Sequence, residues 1–175
     1  MARNTSLTRT ERFFEDNEII VSKTDTKGNL TYVNNVFLRL ADYTERECLA
    51  QPHSMIRHPE MPRCIFKLLW DTISGGKEIF AYVVNRSANG DHYWVIAHVT
   101  PSRDASGTII GYHSNRRVPN RTVLNETIIP LYKNLLAEEG RHSDRKAGLA
   151  ASTAIITDLL TEKGIQYDEF IAGLM

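Results

Sequence analysis

With only Cys48 and Cys64 in 175 residues, the chain has too few cysteines, too poorly spaced, for a disulfide framework or a zinc site. It has no surplus of either charge, because 21 Lys and Arg balance 21 Asp and Glu. A protein that holds nucleic acid or an anionic membrane by bulk electrostatics carries a basic excess, so that kind of partner is not expected. No apolar run approaches the ~20 residues of a bilayer span, and Met1–Asn17 lacks the apolar core of a secretion signal. Gly-x-Ser-x-Gly, a glycine-rich phosphate loop and His-Glu-x-x-His are all missing, which leaves no recognisable catalytic set and predicts a protein that is not an enzyme. There is no internal repeat. What remains is ordinary globular composition, 42% apolar, in a length that suits one domain with a remainder. A cytoplasmic protein with one core is the expectation.

Local signals divide the chain. Leu7–Phe14 reads as a short lead-in helix, with Thr8 as N-cap and Glu11 three residues on. Ile19–Asp25 is β-branched, the turn cluster Thr26–Asn29 follows, and Leu30–Asn34 makes the second strand of a hairpin. From Asn35 to Leu69 the spacing is helical. Val36, Phe37, Leu40 and Ala41 fall on one stripe, Thr44–Glu47 offers a capping box, and Pro52, Pro59 and Pro62 cut the region into short helices. A longer helix is predicted over Arg63–Ile73, stopped by Gly75-Gly76. Ile65, Phe66, Leu69, Trp70 and Ile73 form its apolar stripe.

Three more strands follow, Glu78–Ser87, His92–Ser102 and Thr108–Arg117. Asn89-Gly90 turns the first pair, and Asp104–Gly107 turns the second. This order predicts an α+β protein, a five-stranded antiparallel sheet with short helices on one face. Beyond Pro119 the texture is helical: Val123–Glu139 with a kink at Pro130, Ala147–Lys163 stopped by Gly164, and Gln166–Leu174.

The densest polar stretch is Gln51–Pro62, where His53, Arg57, His58 and Glu60 sit between prolines. A loop of this kind either caps helices and faces solvent or wraps the polar end of a bound molecule. Arg57 offers fixed donors and His58 donates or accepts. No cysteine or carboxylate pattern makes the histidines a zinc site, but one axial histidine suffices for haem, so His58 keeps haem open. Asn34 closes the second strand and serves either as a helix cap or as a reader of a heterocycle edge. Asn85 stands in mid-strand, where asparagine is disfavoured, so it faces water or binds something. The aromatic residues, Phe80 and Tyr82 among them, are core by default, although an apolar pocket with few polar groups is also what a planar cofactor needs.

The strand and helix order, with Gly28–Asn34, Phe37 and Tyr43-Thr44, resembles a PAS domain. Gln51-Pro52-His53, Arg57–Pro62 and Asn89–Val95 resemble more closely the FAD-holding sensor domain of bacterial aerotaxis receptors. The likeness runs from about Glu18 to Glu138. It implies a PAS fold and an FAD site made of Asn34, Arg57, His58, Asn85 and Tyr93, with Phe66 and Trp70 packing beside the ring. The sequence departs from that pattern in having Ile79-Phe80 where a tryptophan is common, and Glu60 where aspartate is usual.

The resemblance implies a division into a lead-in helix over 1–17, a sensor domain over 18–118 and a helical extension over 119–175. The extension would signal to a second copy of the chain or to a separate protein. Aerotaxis receptors continue into membrane and chemotaxis-signalling regions, and these 175 residues hold neither. The resulting expectation is a cytoplasmic sensor that binds FAD non-covalently and reports redox or oxygen state. Haem on His58, or a cofactor-free interaction module with Phe80 and Tyr82 filling the pocket, are the alternatives.

Overall fold

A computed structural model describes residues 6–175. Five strands, β1 (Ile20–Thr24), β2 (Leu30–Val33), β3 (Ile79–Arg86), β4 (His92–Arg103) and β5 (Ile109–Arg117), form one antiparallel sheet in the order β2-β1-β5-β4-β3. The three tight connections use the turn residues read from the sequence, with Gly28, Gly90 and Gly107 all at positive φ. Between β2 and β3 lie α1 (Asn35–Ala41), α2 (Glu45–Cys48), a 3-10 turn over His53–Ile56 and α3 (Arg63–Ser74). Thr44 and Glu47 form the expected capping box of α2.

Strand alternation sorts the sheet into two working faces. Ser22, Tyr93, Val95, Ala97, Val99, Tyr112 and Ser114 point inward, and the apolar members join Phe37, Leu40, Leu69 and Ile73 in one core under α1 and α3. Tyr82, Val84 and Trp94 point the other way. They meet Leu124, Ile128, Tyr132 and Leu135 in a second core beneath the C-terminal helices. Those helices are α4 (Arg121–Val123), a π-helical turn over Leu124–Ile128, α5 (Ile129–Gly140), α6 (Arg145–Lys163) and α7 (Tyr167–Ala172). At the kink expected at Pro130 the helix makes this wider turn, which ends two residues before the proline, a residue with no N–H to give the helix. The sheet is therefore covered on both sides at β3 and β4.

The lead-in segment corrects the sequence reading. No helix forms over Leu7–Phe14. The Thr8 hydroxyl donates to Asp91 at 2.5 Å instead of capping a helix, and Arg12 Nε donates to the same carboxylate at 2.8 Å. Backbone bonds from Thr8 N to Gly90 O, Arg12 N to His92 O and His92 N to Thr10 O hold the segment extended along the β3–β4 hairpin. An eight-residue helix is marginal by itself, so these tertiary bonds decide the conformation. Residues 1–5 of that segment lie outside the described residues.

One buried carboxylate ties the C-terminal helices to α3. Glu139, near the end of α5, accepts from Arg63 N (2.8 Å), Cys64 N (3.1 Å) and Ser152 Oγ (3.1 Å) through Oε1, and from Arg63 Nε (2.9 Å) through Oε2. Pro62 gives α3 no side-chain cap, so Glu139 satisfies two of its free N–H groups from a distant part of the chain. Gly148 of α6 packs into the same joint, where a Cβ would stand 2.7 Å from the Glu139 carbonyl oxygen.

Candidate functional site

Between α3 and the inward face of the sheet lies a cleft of about 680 Å³, part of it open to solvent. Leu69 and Ile73 of α3, Val83 of β3, and Ala97 and Val99 of β4 make its walls apolar. Phe66 and Trp70 complete the α3 side. They sit on the helix stripe with Leu69 and Ile73 but stay partly exposed, because they face the cleft rather than closed core. Trp70 is seated by its neighbours. Its ring meets Tyr112 edge-on at 5.6 Å, and a Cβ on Gly28 would lie 2.8 Å from Trp70 Cη2. Gly28 thus serves both its turn and the indole.

The polar groups in this apolar space carry the information. Five buried side-chain polar atoms among the described residues have no hydrogen-bond partner, and four of them belong to cleft residues: Thr24 Oγ1, Asn85 Nδ2, Ser114 Oγ and Arg116 Nη1. Buried polar groups in folded proteins are nearly always paired, so such a concentration makes the cleft the candidate site for a ligand. Arg116 is 3% exposed, and its Nη2 donates to Ser22 Oγ at 2.9 Å and lies 2.6 Å from His53 Nε2. Beside a guanidinium, His53 Nε2 must be the accepting nitrogen.

Burial, and then the Arg116 charge, pull the His53 pKa from its ordinary 6.5 down to about 3. Burial likewise lowers Arg116 to about 10, with Tyr93 acting in the opposite sense. A depressed folded-state pKa means that the unfolded chain binds the proton first, so this contribution to stability is complete above about pH 7. It fades as the pH falls from 6.5 towards 3. Urea titrations of the wild type and His53→Gln at pH 7.5 and 5.0 test this, and the variant is expected to show a clearly weaker loss of stability on acidification.

Of the residues expected at a binding site, Arg57, Phe66, Trp70 and Asn85 line the cleft. The Arg57 guanidinium lies 4.3 Å from the Phe66 ring centroid and donates to Met61 O at 3.2 Å, while its backbone bridges to Asn85 on β3. Asn34, His58 and Tyr93 lie outside the lining. The Asn34 amide is engaged at both ends, with Oδ1 accepting from Val21 N and Phe37 N and Nδ2 donating to Ile19 O. That is the capping alternative. His58 is buried beside His92, and its Nδ1 accepts from Glu60 N. Burial is the main reason its pKa is lowered. Tyr93 is buried in the core under α1, with an unpartnered hydroxyl and a pKa raised by burial.

Phe80 and Tyr82 sit on the opposite face of β3, where Phe80 stacks on His98 at 4.1 Å and the Tyr82 carbonyl accepts from Tyr132 Oη. They do not fill the cleft, which corrects that part of the cofactor-free alternative. Ile79 is core, so the aromatic wall of the cleft comes from α3 rather than from the start of β3. Ser22, Thr24, His53, Ser114 and Arg116 are the polar lining residues that the sequence reading did not single out for a heterocycle. The one available signal was strand parity, since Thr24, Ser22 and the pairs Tyr112, Ser114 and Arg116 alternate regularly on β1 and β5.

Comparison with known proteins agrees with this architecture. Residues 30–116 match the PAS fold family. Through them the chain belongs to the PAS-fold family. The aerotaxis receptor of Escherichia coli (strain K12) is 40% identical to it over 131 residues, 74% of this chain and 25% of the receptor. The nitrogen fixation regulatory protein of Klebsiella pneumoniae is 24% identical over 126 residues, 66% of this chain and 26% of that protein. The chain thus spans about a quarter of the length of these relatives. Among solved structures, a light-oxygen-voltage domain described with a flavin analogue matches with a TM-score of 0.56 at 15% identity, covering 66% of this chain and 87% of that one. The PAS domain shares its fold with that protein. Among the described residues, no helix is long and apolar enough to cross a membrane.

Proposed function

We propose that this PAS domain is a sensor that binds FAD non-covalently in the cleft and signals redox or oxygen state through its flanking helices. The observation that carries the reading is the set of four unpartnered buried polar atoms on residues that line an otherwise apolar, aromatic-walled space. Amide, hydroxyl and guanidinium groups suit the alternating carbonyls and nitrogens of an isoalloxazine edge, and Phe66 and Trp70 suit its face. The likeness to an aerotaxis receptor, and to a light-oxygen-voltage domain described with a flavin analogue, supports the same choice.

When bound, a flavin supplies reversible electron transfer, with charge and protonation of the ring changing on reduction. The chain's own residues do the rest. The Asn85 amide holds both donor and acceptor and satisfies either state by turning over. Leu69, Val83 and Val99 exclude water from the ring. Arg57, stacked on Phe66 and bridged by its backbone to Asn85, positions the ligand's polar part.

Signal transfer has a short physical route. Phe66 and Trp70 lie on α3, and the first turn of α3 is held by Glu139 of α5. A change in ring contacts that displaces α3 therefore pulls on residues 119–175, which we read as the signalling extension. Its receiver is a second copy of the chain or a separate signalling protein in the cytoplasm. The role is recognition and relay rather than catalysis. Haem has no comparable support, because His58 lies outside the cleft lining and spends Nδ1 on Glu60 N.

Protein purified from cells with ample flavin is expected to be yellow. On denaturation it should release FAD, identified by chromatography against FMN and riboflavin. A colourless protein that gives no spectral shift on adding FAD would contradict the reading, and a Soret band lost in His58→Ala would replace it with haem.

A further inference from the structure

Arg116 is a cation buried without a counter-charge. It stands on β5 between Asn115 and Arg117, 3% exposed, with its side chain lining the cleft. Every element around it presents a neutral or positive group. Ser22 of β1 and His53 of the 3-10 turn take Nη2, Tyr93 of β4 is a neutral phenol, the Phe37 ring lies 5.9 Å from the guanidinium carbon, and Arg57 brings a second cation to the same cleft. Among the described residues no carboxylate lies within ion-pair distance, and Nη1 has no partner. His53 stays neutral at ordinary pH because burial and Arg116 disfavour its protonation. Removing a guanidinium from water without an anion beside it is costly, and a ligand that brings negative charge removes that cost.

We infer that Arg116 tunes the cleft for a ring ligand that carries negative charge along one edge, so that a bound flavin is held more tightly in its reduced, singly deprotonated form than in its oxidised, neutral form. This rests on the flavin reading of the cleft. The oxidised ring takes two electrons and one proton, the proton adds to a ring nitrogen, and the second electron's charge stays delocalised over the pyrimidine edge without a proton. Arg116 meets that charge with a fixed fork of donors, and Nη1 is the donor still free to act. Tighter holding of the anion raises the reduction potential of bound flavin above that of free flavin and keeps the second proton off at acidic pH.

The test is a reductive titration of FAD-reconstituted protein with dithionite against a reference dye between pH 5 and 8. Wild type is expected to take one proton per two electrons throughout, which is a slope of ~30 mV per pH unit. Arg116→Gln is expected to lower the reduced-to-oxidised affinity ratio at least tenfold, or ~30 mV, and to steepen the acidic slope towards ~59 mV. Arg116→Lys keeps the charge and should keep most of the potential. A wild-type slope near ~59 mV at pH 5–6, or an unchanged potential in Arg116→Gln, overturns the inference. Should Arg116→Gln fail to fold, the wild-type slope decides alone. A yellow protein with a two-proton couple overturns only this inference, whereas a protein that takes up no FAD overturns it together with the flavin reading.

Discussion

Asn85→Leu is expected to lose the ligand and, as an empty protein, to become more stable than wild type. The two effects share one cause. Asn85 Nδ2 is buried without a protein partner, and an unsatisfied polar group of this kind costs about 1–3 kcal/mol. Leucine, with the same branched shape though larger, removes that cost and leaves the backbone bridge between Asn85 and Arg57 untouched, because main-chain atoms make it. With ligand present the balance reverses. The hydrogen bond that repaired the penalty is gone, so affinity should fall by roughly ten- to a hundredfold. Thermal melts of flavin-free wild type and Asn85→Leu measure the first effect, where a gain of about 1 kcal/mol moves Tm up by roughly 2–4 °C for a chain of this length. Flavin retention through gel filtration measures the second. A variant that loses both stability and ligand would mean that Asn85 is an ordinary core residue.

Glu139→Ala has the largest expected effect on stability. The carboxylate is buried and takes four donors, two of them the otherwise uncapped N–H groups of α3. Breaking a buried pair from one side leaves Arg63 and those amides uncompensated, at about 3–5 kcal/mol. Urea unfolding should show that loss. Limited proteolysis should show the C-terminal helices opening first, since their attachment to α3 runs through this joint. Glu139→Gln retains the shape and part of the bonding and should lose clearly less. If Glu139→Ala unfolds like wild type, the route from α3 to the C-terminal helices is not this one.

These two residues also show where sequence reading reached and where it stopped. Local chemistry was legible: Asn89-Gly90, the Thr44 capping box and Gly164 at the end of α6 act through neighbours a few residues away. So was Asn85, because an amide in mid-strand has no local reason to be there. Glu139 gave no signal, since its α3 partners are 75 and 76 positions distant and an acidic residue near a helix end reads as solvent-facing. Leu7–Phe14 failed for the same reason. Its helix signals were genuine, but bonds to Gly90, Asp91 and His92 outweigh them.

The cleft was half legible. Phe66 and Trp70 lie on a clear helical stripe, although the stripe alone does not say which members meet core and which meet empty space. Ser22, Thr24, Ser114 and Arg116 look like the polar half of solvent-facing strands, and only the order β2-β1-β5-β4-β3 turns them inward under α3. Asn34 carried two readings, and its three bonds to Val21, Phe37 and Ile19 match the capping one.

On the proposed function, the unpartnered groups of the cleft are there to meet a flavin. Calorimetric titration of FAD into flavin-free protein tests it most directly, with the flavin absorption bands followed in parallel. Saturable one-to-one binding with a negative heat-capacity change from apolar burial, structured flavin bands, and a strongly weakened isotherm in Asn85→Leu are expected. No heat and an unperturbed flavin spectrum, or equal binding in wild type and Asn85→Leu, would contradict it.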